Sequence, residues 1–168
     1  TPDNALEFLQ AGASHVIVTS YVFNNGRIDY DALEKLVEVV GKEHLVLDLS
    51  CRRVDDEYYI VTDRWQNITE VEVNHDLLDK LSAYCDEFLI HAADVEGKKD
   101  GIEEDLVRLL GSWNKIPVTY AGGISDYDDI GHIREMSNDN LDITIGSALD
   151  LFGGELNYET VLNLVQEY

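Results

Sequence analysis

Asp48 interrupts an otherwise apolar run, Leu45-Val46-Leu47-Asp48-Leu49-Ser50. Burying a carboxylate in such a run is costly unless it is paired or working. At the end of a strand it could give or take a proton. The alternative is a carboxylate bonded to the backbone of the next turn. Two glycine turns lie further on, Tyr120-Ala121-Gly122-Gly123-Ile124-Ser125 and Ile145-Gly146-Ser147-Ala148. Paired glycines let a backbone approach a ligand closely, and a following helix N-terminus offers unbonded N–H groups to an anion. A tight strand-to-helix turn uses the same residues, but two such turns in succession point to a phosphate. Thr19-Ser20 offers hydroxyls to a second phosphate, or simply forms a turn. His91-Ala92-Ala93-Asp94 ends another apolar run. A strand histidine is more often a satisfied core residue, while Asp94 either acts in the chemistry or orients a loop. Asp63-Arg64-Trp65 carries an aromatic that could stack on a planar heterocycle and exclude water, or pack on the rim. Arg52 and Arg53 follow Asp48 and put positive charge where an anion must enter.

The elements that would hold these groups alternate. Five apolar runs read as strands: Val16–Tyr21, Leu45–Ser50, Phe88–Asp94, Pro117–Gly123 and Asp142–Leu149. Their near-continuous hydrophobicity is that of parallel strands buried on both faces. Helical stripes lie between them. Leu33, Leu36, Val37 and Val40 share one face, as do Leu77, Leu78, Leu81 and Cys85, and Leu106, Leu109 and Leu110. Ile130 and Ile133 mark a weaker helix opened by Ser125 and Asp128 as a capping-box-like pair. Val161, Leu162 and Val165 mark the last helix, and Ala5–Gln10 the first. Residues 51–69 read as a hairpin inserted after a strand, and long structured insertions are usually functional. The fold class is α/β in a single domain, residues 1–168. An open doubly wound sheet and a closed (β/α)8 barrel both fit the alternation. A full barrel takes about 250 residues, so five units read as a partial TIM barrel. The opening Thr1-Pro2-Asp3, entering a helix directly, reads as a cut end.

Composition limits the partners. The chain has 168 residues, 12 Lys+Arg against 34 Asp+Glu, and a net charge of -22. Such a field repels nucleic acid and anionic membrane surfaces, so neither is an expected partner. No apolar run is long enough to span a bilayer. Cys51 and Cys85 have no metal-site spacing and read as reduced thiols.

The segments GASHVIVTSYVFNNG, LVLDLSCRR, IVTDRWQ, EFLIHAADVEGKKDGI, IPVTYAGGISDYDDI and TIGSALDLFGG resemble, in order and spacing, the histidine-pathway isomerase acting on phosphoribosylformimino-5-aminoimidazole carboxamide ribotide (ProFAR). The similarity is to the plant and fungal branch and covers essentially the whole chain. It implies a (β/α)8 barrel of which this chain is units four to eight. It also implies an Amadori rearrangement of an aminoaldose bisphosphate to an aminoketose (PRFAR), with no cofactor and no metal. Asp48 is then the general acid, and its partner base is missing from the chain. Gly122, Gly123, Gly146 and Ser147 hold one phosphate, and Thr19 and Ser20 help hold the other. Trp65 stacks on the substrate, with Arg53 also at the substrate and Asp94 in possible support. Bacterial relatives carry a Thr beside the acidic residue where this chain has Ala93, so the resemblance carries no hydroxyl role over to that position. The resemblance implies a cytoplasmic enzyme, or a plastid one in a plant or alga. It also implies a full-length monomer; the missing base leaves the isolated fragment inactive, and five of eight strands leave two open sheet edges through which it self-associates. The paralogous cyclase barrel of imidazole glycerol phosphate synthase shares the strand-five Asp and both phosphate sites. A truncated remnant that only binds phosphate is a third reading.

Overall fold

The computed structural model describes residues 1–95, 97 and 101–166. Glu96 and Lys98–Asp100, within the EFLIHAADVEGKKDGI segment, lie outside the described residues.

The apolar runs do become parallel strands. These are β1 (Val16–Val18), β4 (Leu45–Val54), β7 (Glu87–Ala92), β8 (Val118–Ala121) and β9 (Asp142–Thr144). They lie in the order β1-β4-β7-β8-β9, each parallel to the next. That order follows the chain without the reversal of a doubly wound sheet, so the fold is a mixed α/β structure consistent with part of a barrel wall. Among the described residues β1 and β9 each pair on one side only.

Alternation along the strands sorts the side chains. Leu45, Leu47, Leu49 and Cys51 on β4, with Phe88, Ile90 and Ala92 on β7, are buried in the core. The same core takes Leu33, Leu36 and Val40 of α2 (Tyr30–Val40), and Leu77, Leu78 and Leu81 of α3 (His75–Leu81). It also takes Leu106, Val107 and Leu110 of α4 (Glu104–Gly111). The opposite face carries Ile17, 59% exposed, and the less buried Asp48, Ser50 and His91. Burial on both faces, expected from hydrophobicity, is thus complete on the helix side only; the opposite face buries Val46 and Ala121 but leaves Asp48, Ser50 and His91 half-buried.

Several strands end earlier than their apolar runs. After Val18 the chain turns into a 3-10 helix, Ser20–Val22, and after Thr144 it leaves the sheet. Phe23–Asn24 (β2) and Arg27–Ile28 (β3) form a small hairpin whose turn residues, Asn25 and Gly26, both have positive φ. That is the type I′ geometry which favours Asn-Gly. α1 (Pro2–Gln10) and α6 (Tyr158–Gln166) flank the sheet segments in sequence.

The start of α5 (Tyr127–Ser137) differs from the Ser125/Asp128 pairing by one residue. Asp126 is the N-cap and Asp129 the third helical residue, and the two cap each other's backbone. The Asp129 carboxylate also accepts the Ser125 N–H at 2.8 Å. A buried aspartate that takes three donors is worth more there than a serine hydroxyl.

The inserted segment is longer than 51–69. β4 itself runs on to Val54 and pairs antiparallel with β5 (Glu57–Thr62), which pairs with β6 (Asn67–Glu72). The insertion is thus a three-stranded ribbon continuous with the parallel sheet, standing beyond the C-terminal end of β4.

Candidate functional site

The strand ends and the ribbon enclose a cavity of about 650 Å³ whose lining includes Asp48, Ser50, Thr19, Ser20, Trp65 and His91. Parallel register puts Asp48 beside Leu89 and Ser50 beside His91. Residues two apart share a face, so Asp48 and His91 meet diagonally across the two strands. The Nδ1 of His91 lies 2.9 Å from Asp48 Oδ1, with the side chains 24% and 13% exposed. His91 read from sequence is a core residue; the structure puts it in the cavity wall beside the carboxylate.

Trp65 reaches this cavity from the tip of the β5–β6 turn. Asp63, Arg64 and Trp65 have φ of 52°, 56° and 67°, three successive non-glycine residues in the left-handed region. Each such residue costs about 1–2 kcal/mol. The Gln66 N–H bond to the Thr62 carbonyl, 3.1 Å, and the Asn67–Asp63 side-chain bond hold the turn. The strained turn sets the indole and the Arg64 side chain in the wall of the cavity.

A second cavity, about 210 Å³, is lined by Gly122, Gly123, Gly146 and Ser147, and again by His91. A Cβ on Gly123 would stand 1.9 Å from the Gly101 carbonyl oxygen, and one on Gly122 3.0 Å from Ala92. Both glycines have positive φ, 135° and 74°, so close approach and conformation each require glycine there. Gly146 differs, since a Cβ there would meet nothing within 4 Å. Its small size leaves open space in the cavity rather than relieving a clash. Among the described residues the N–H groups of Gly123, Gly146, Ser147 and Ala148 donate to no protein acceptor. Four unspent amide donors around a small cavity suit an anion. The Ser125 and Asp126 N–H groups are different, because Asp129 already takes both.

Two expected site residues lie elsewhere. Asp94 lines neither cavity. Its carboxylate accepts the Arg53 backbone N–H at 2.9 Å and lies 3.4 Å from Arg52 Nε, so it clamps the start of the ribbon. Arg53 lines neither cavity; its guanidinium pairs with Asp105 at 2.8 Å and donates to the Asp55 carbonyl at 3.1 Å. Of the loop cations, Arg64 lines the larger cavity. Its signal in the sequence was the neighbouring Trp65.

Burial pushes the thiols of Cys51 and Cys85 up, the latter to about 12, so neither is a nucleophile at neutral pH. Among the described residues no three His, Cys, Asp or Glu side chains cluster as metal ligands, and no helix is long and apolar enough to cross a membrane.

Residues 1–157 match the family model described as "histidine biosynthesis protein". The chain belongs to this family. It is 56% identical over 160 residues to the chloroplastic 1-(5-phosphoribosyl)-5-((5-phosphoribosylamino)methylideneamino)imidazole-4-carboxamide isomerase of Medicago truncatula. That alignment takes in 95% of this chain and 51% of the relative. The isomerases of the same name from Yarrowia lipolytica and Saccharomyces cerevisiae are 47% and 46% identical, each over 91% of this chain and over 61% and 60% of their own length. The histidine biosynthesis chain thus spans between about half and three-fifths of the curated relatives it matches. Its similarity is to the plant and fungal members of the family.

Proposed function

We propose that this chain supplies the C-terminal five units, four to eight, of a (β/α)8 barrel that converts ProFAR to PRFAR. The single observation carrying this reading is the placement of Asp48 in one cavity with Trp65, adjoining the paired-glycine cavity across His91. The forward order of the five parallel strands and the family relationship support it. The remaining units would pair with the open edges of β1 and β9.

The reaction is an internal redox exchange: C1 of the aminoaldose is reduced to a methylene while the C2 alcohol is oxidised to a ketone. Electrons balance within the sugar, so no external oxidant is needed. Ring opening breaks the C1–O4 bond, and the departing oxygen takes a proton. Asp48 gives that proton. The iminium left at C1 acidifies the C2 hydrogen, which a base on the remaining units removes to give an enaminol; C1 then takes up a proton as the C2 hydroxyl gives one up, leaving the methylene and the ketone. The amides of Gly123, Gly146 and Ser147 hold one phosphate. Thr19 and Ser20, with Arg64 opposite, hold the second in the larger cavity. Trp65 stacks on the heterocycle and excludes water from the iminium, which hydrolysis would otherwise destroy. Asp94 and Arg53 act on the ribbon and not on the substrate.

The test is a chimera in which this chain replaces the matching part of the Medicago truncatula isomerase. Incubated with ProFAR, it should form a product with a ¹³C ketone signal and an unchanged mass. A chimera that folds but leaves ProFAR unaltered contradicts the proposal.

A further inference from the structure

We infer that His91 is a positioning residue for Asp48, so that the proton is handled by a carboxylate–imidazole pair and not by Asp48 alone. The inference rests on reading Asp48 as the ring-opening acid. Two adjacent parallel strands bring the groups together from 43 residues apart, at 2.9 Å and mostly shielded from water. Among the described residues Asp48 has no other hydrogen-bond or ion-pair partner. Its direction within the cavity is therefore set through Oδ1 by His91, which leaves Oδ2 for the substrate. Whether Asp48 is ionised or carries its proton on Oδ2, Oδ1 accepts the Nδ1 hydrogen of His91. One contact thus serves the acid before and after it releases its proton. A backbone carbonyl in this place could only accept and would leave Oδ1 without a donor. His91 also lines the glycine cavity, so the side chain that orients the acid sits against the phosphate seat.

The chimera tests this with five variants: Asp48→Asn, His91→Leu, those two combined, and His91→Asn and His91→Gln compared with each other. Asparagine puts an amide where Nδ1 stands and can present N–H or C=O to Asp48, whereas glutamine puts it where Nε2 stands. A hydrogen bond to a charged group corresponds to about 10- to 150-fold in rate. His91→Leu should lower kcat by that factor with KM within about threefold. His91→Asn should recover kcat to within about fivefold of the parent, and His91→Gln should not. The double variant should be no slower than Asp48→Asn alone, because His91 acts only through Asp48. Independent, multiplying losses, or His91→Asn and His91→Gln impaired alike, would overturn the pairing. Asp48→Asn retaining full activity would instead overturn the proposed acid. Asp48→Asn inactive beside a fully active His91→Leu leaves the acid standing and removes only the pair. Should His91→Leu fail to fold, the asparagine–glutamine comparison decides alone.

Discussion

The Tyr58 hydroxyl on β5 donates to the Glu103 carboxylate at 2.9 Å, and this bond ties the ribbon carrying Trp65 to the entry of α4. The Glu103 N–H in turn donates to the buried Tyr120 hydroxyl at 3.0 Å, and Arg53–Asp105 adds a 2.8 Å ion pair alongside. The ribbon is thus held at its base while its tip remains strained. Tyr58→Phe removes the first bond without changing the ring's packing. We expect a loss of about 1–2 kcal/mol in denaturant unfolding of the chimera. A change below a few tenths would show that the bond does not hold the ribbon.

Gly123 and Gly146 line the same cavity for different reasons, and their alanine variants should separate. Gly123→Ala places a Cβ against the Gly101 carbonyl at a φ of 74°, which should destabilise the protein by about 2–5 kcal/mol. Gly146→Ala meets no atom within 4 Å. It should leave the melting temperature unchanged and weaken competitive inhibition by inorganic phosphate by about tenfold. Equal effects on stability at both positions would refute this assignment.

The buried thiols give a pH dependence with a definite sign. Burial raises both Cys51 and Cys85 above the ordinary thiol range, Cys85 to about 12. Folded thiols therefore keep protons that the unfolded chain releases above about pH 8.5. Their contribution is complete below that pH, and stability falls as pH rises towards the folded values. Unfolding followed by denaturant between pH 7.5 and 10.5 should show the decline, and Cys51→Ser with Cys85→Ala should flatten it. Native protein at pH 8 should react with no Ellman's reagent at either cysteine.

Much of this architecture was legible in the sequence, and the parts that were not share physical causes. The five strands and their helices followed from apolar runs and stripes, because periodicity is a local signal. Their C-terminal ends did not, since Thr19 and Ile145 are apolar enough to continue a strand yet turn off to form loops. The β2–β3 hairpin carried its Asn25-Gly26 signature, but two-residue strands leave no periodicity to find. Asp48, Trp65 and the glycine pairs were recognisable as residues out of character with their surroundings. The His91–Asp48 contact was not, because it depends on the β4–β7 register, a long-range quantity. Sequence left Asp94 between chemistry and orienting a loop and put Arg53 at the substrate, whereas the antiparallel extension of β4 carries Arg53 onto the ribbon and Asp94 holds the ribbon's backbone.

Among the described residues β1 and β9 each leave one edge unpaired, and this bears on the isolated chain. Unpaired edges and a face carrying the exposed Ile17 invite pairing with other chains. Residues 1–168 alone should elute from size exclusion well above their 19.0 kDa and show no turnover of ProFAR. A stable, monomeric peak at that mass would mean the edges are protected in some other way.

The most direct measurement is kcat for Asp48→Asn in the chimera, taken with the inhibition constant for inorganic phosphate. If Asp48 is the acid, kcat falls by about 10²–10⁴-fold while the phosphate constant stays within about threefold of the parent. Turnover within about fivefold of the parent would place the acid on another residue and contradict the account.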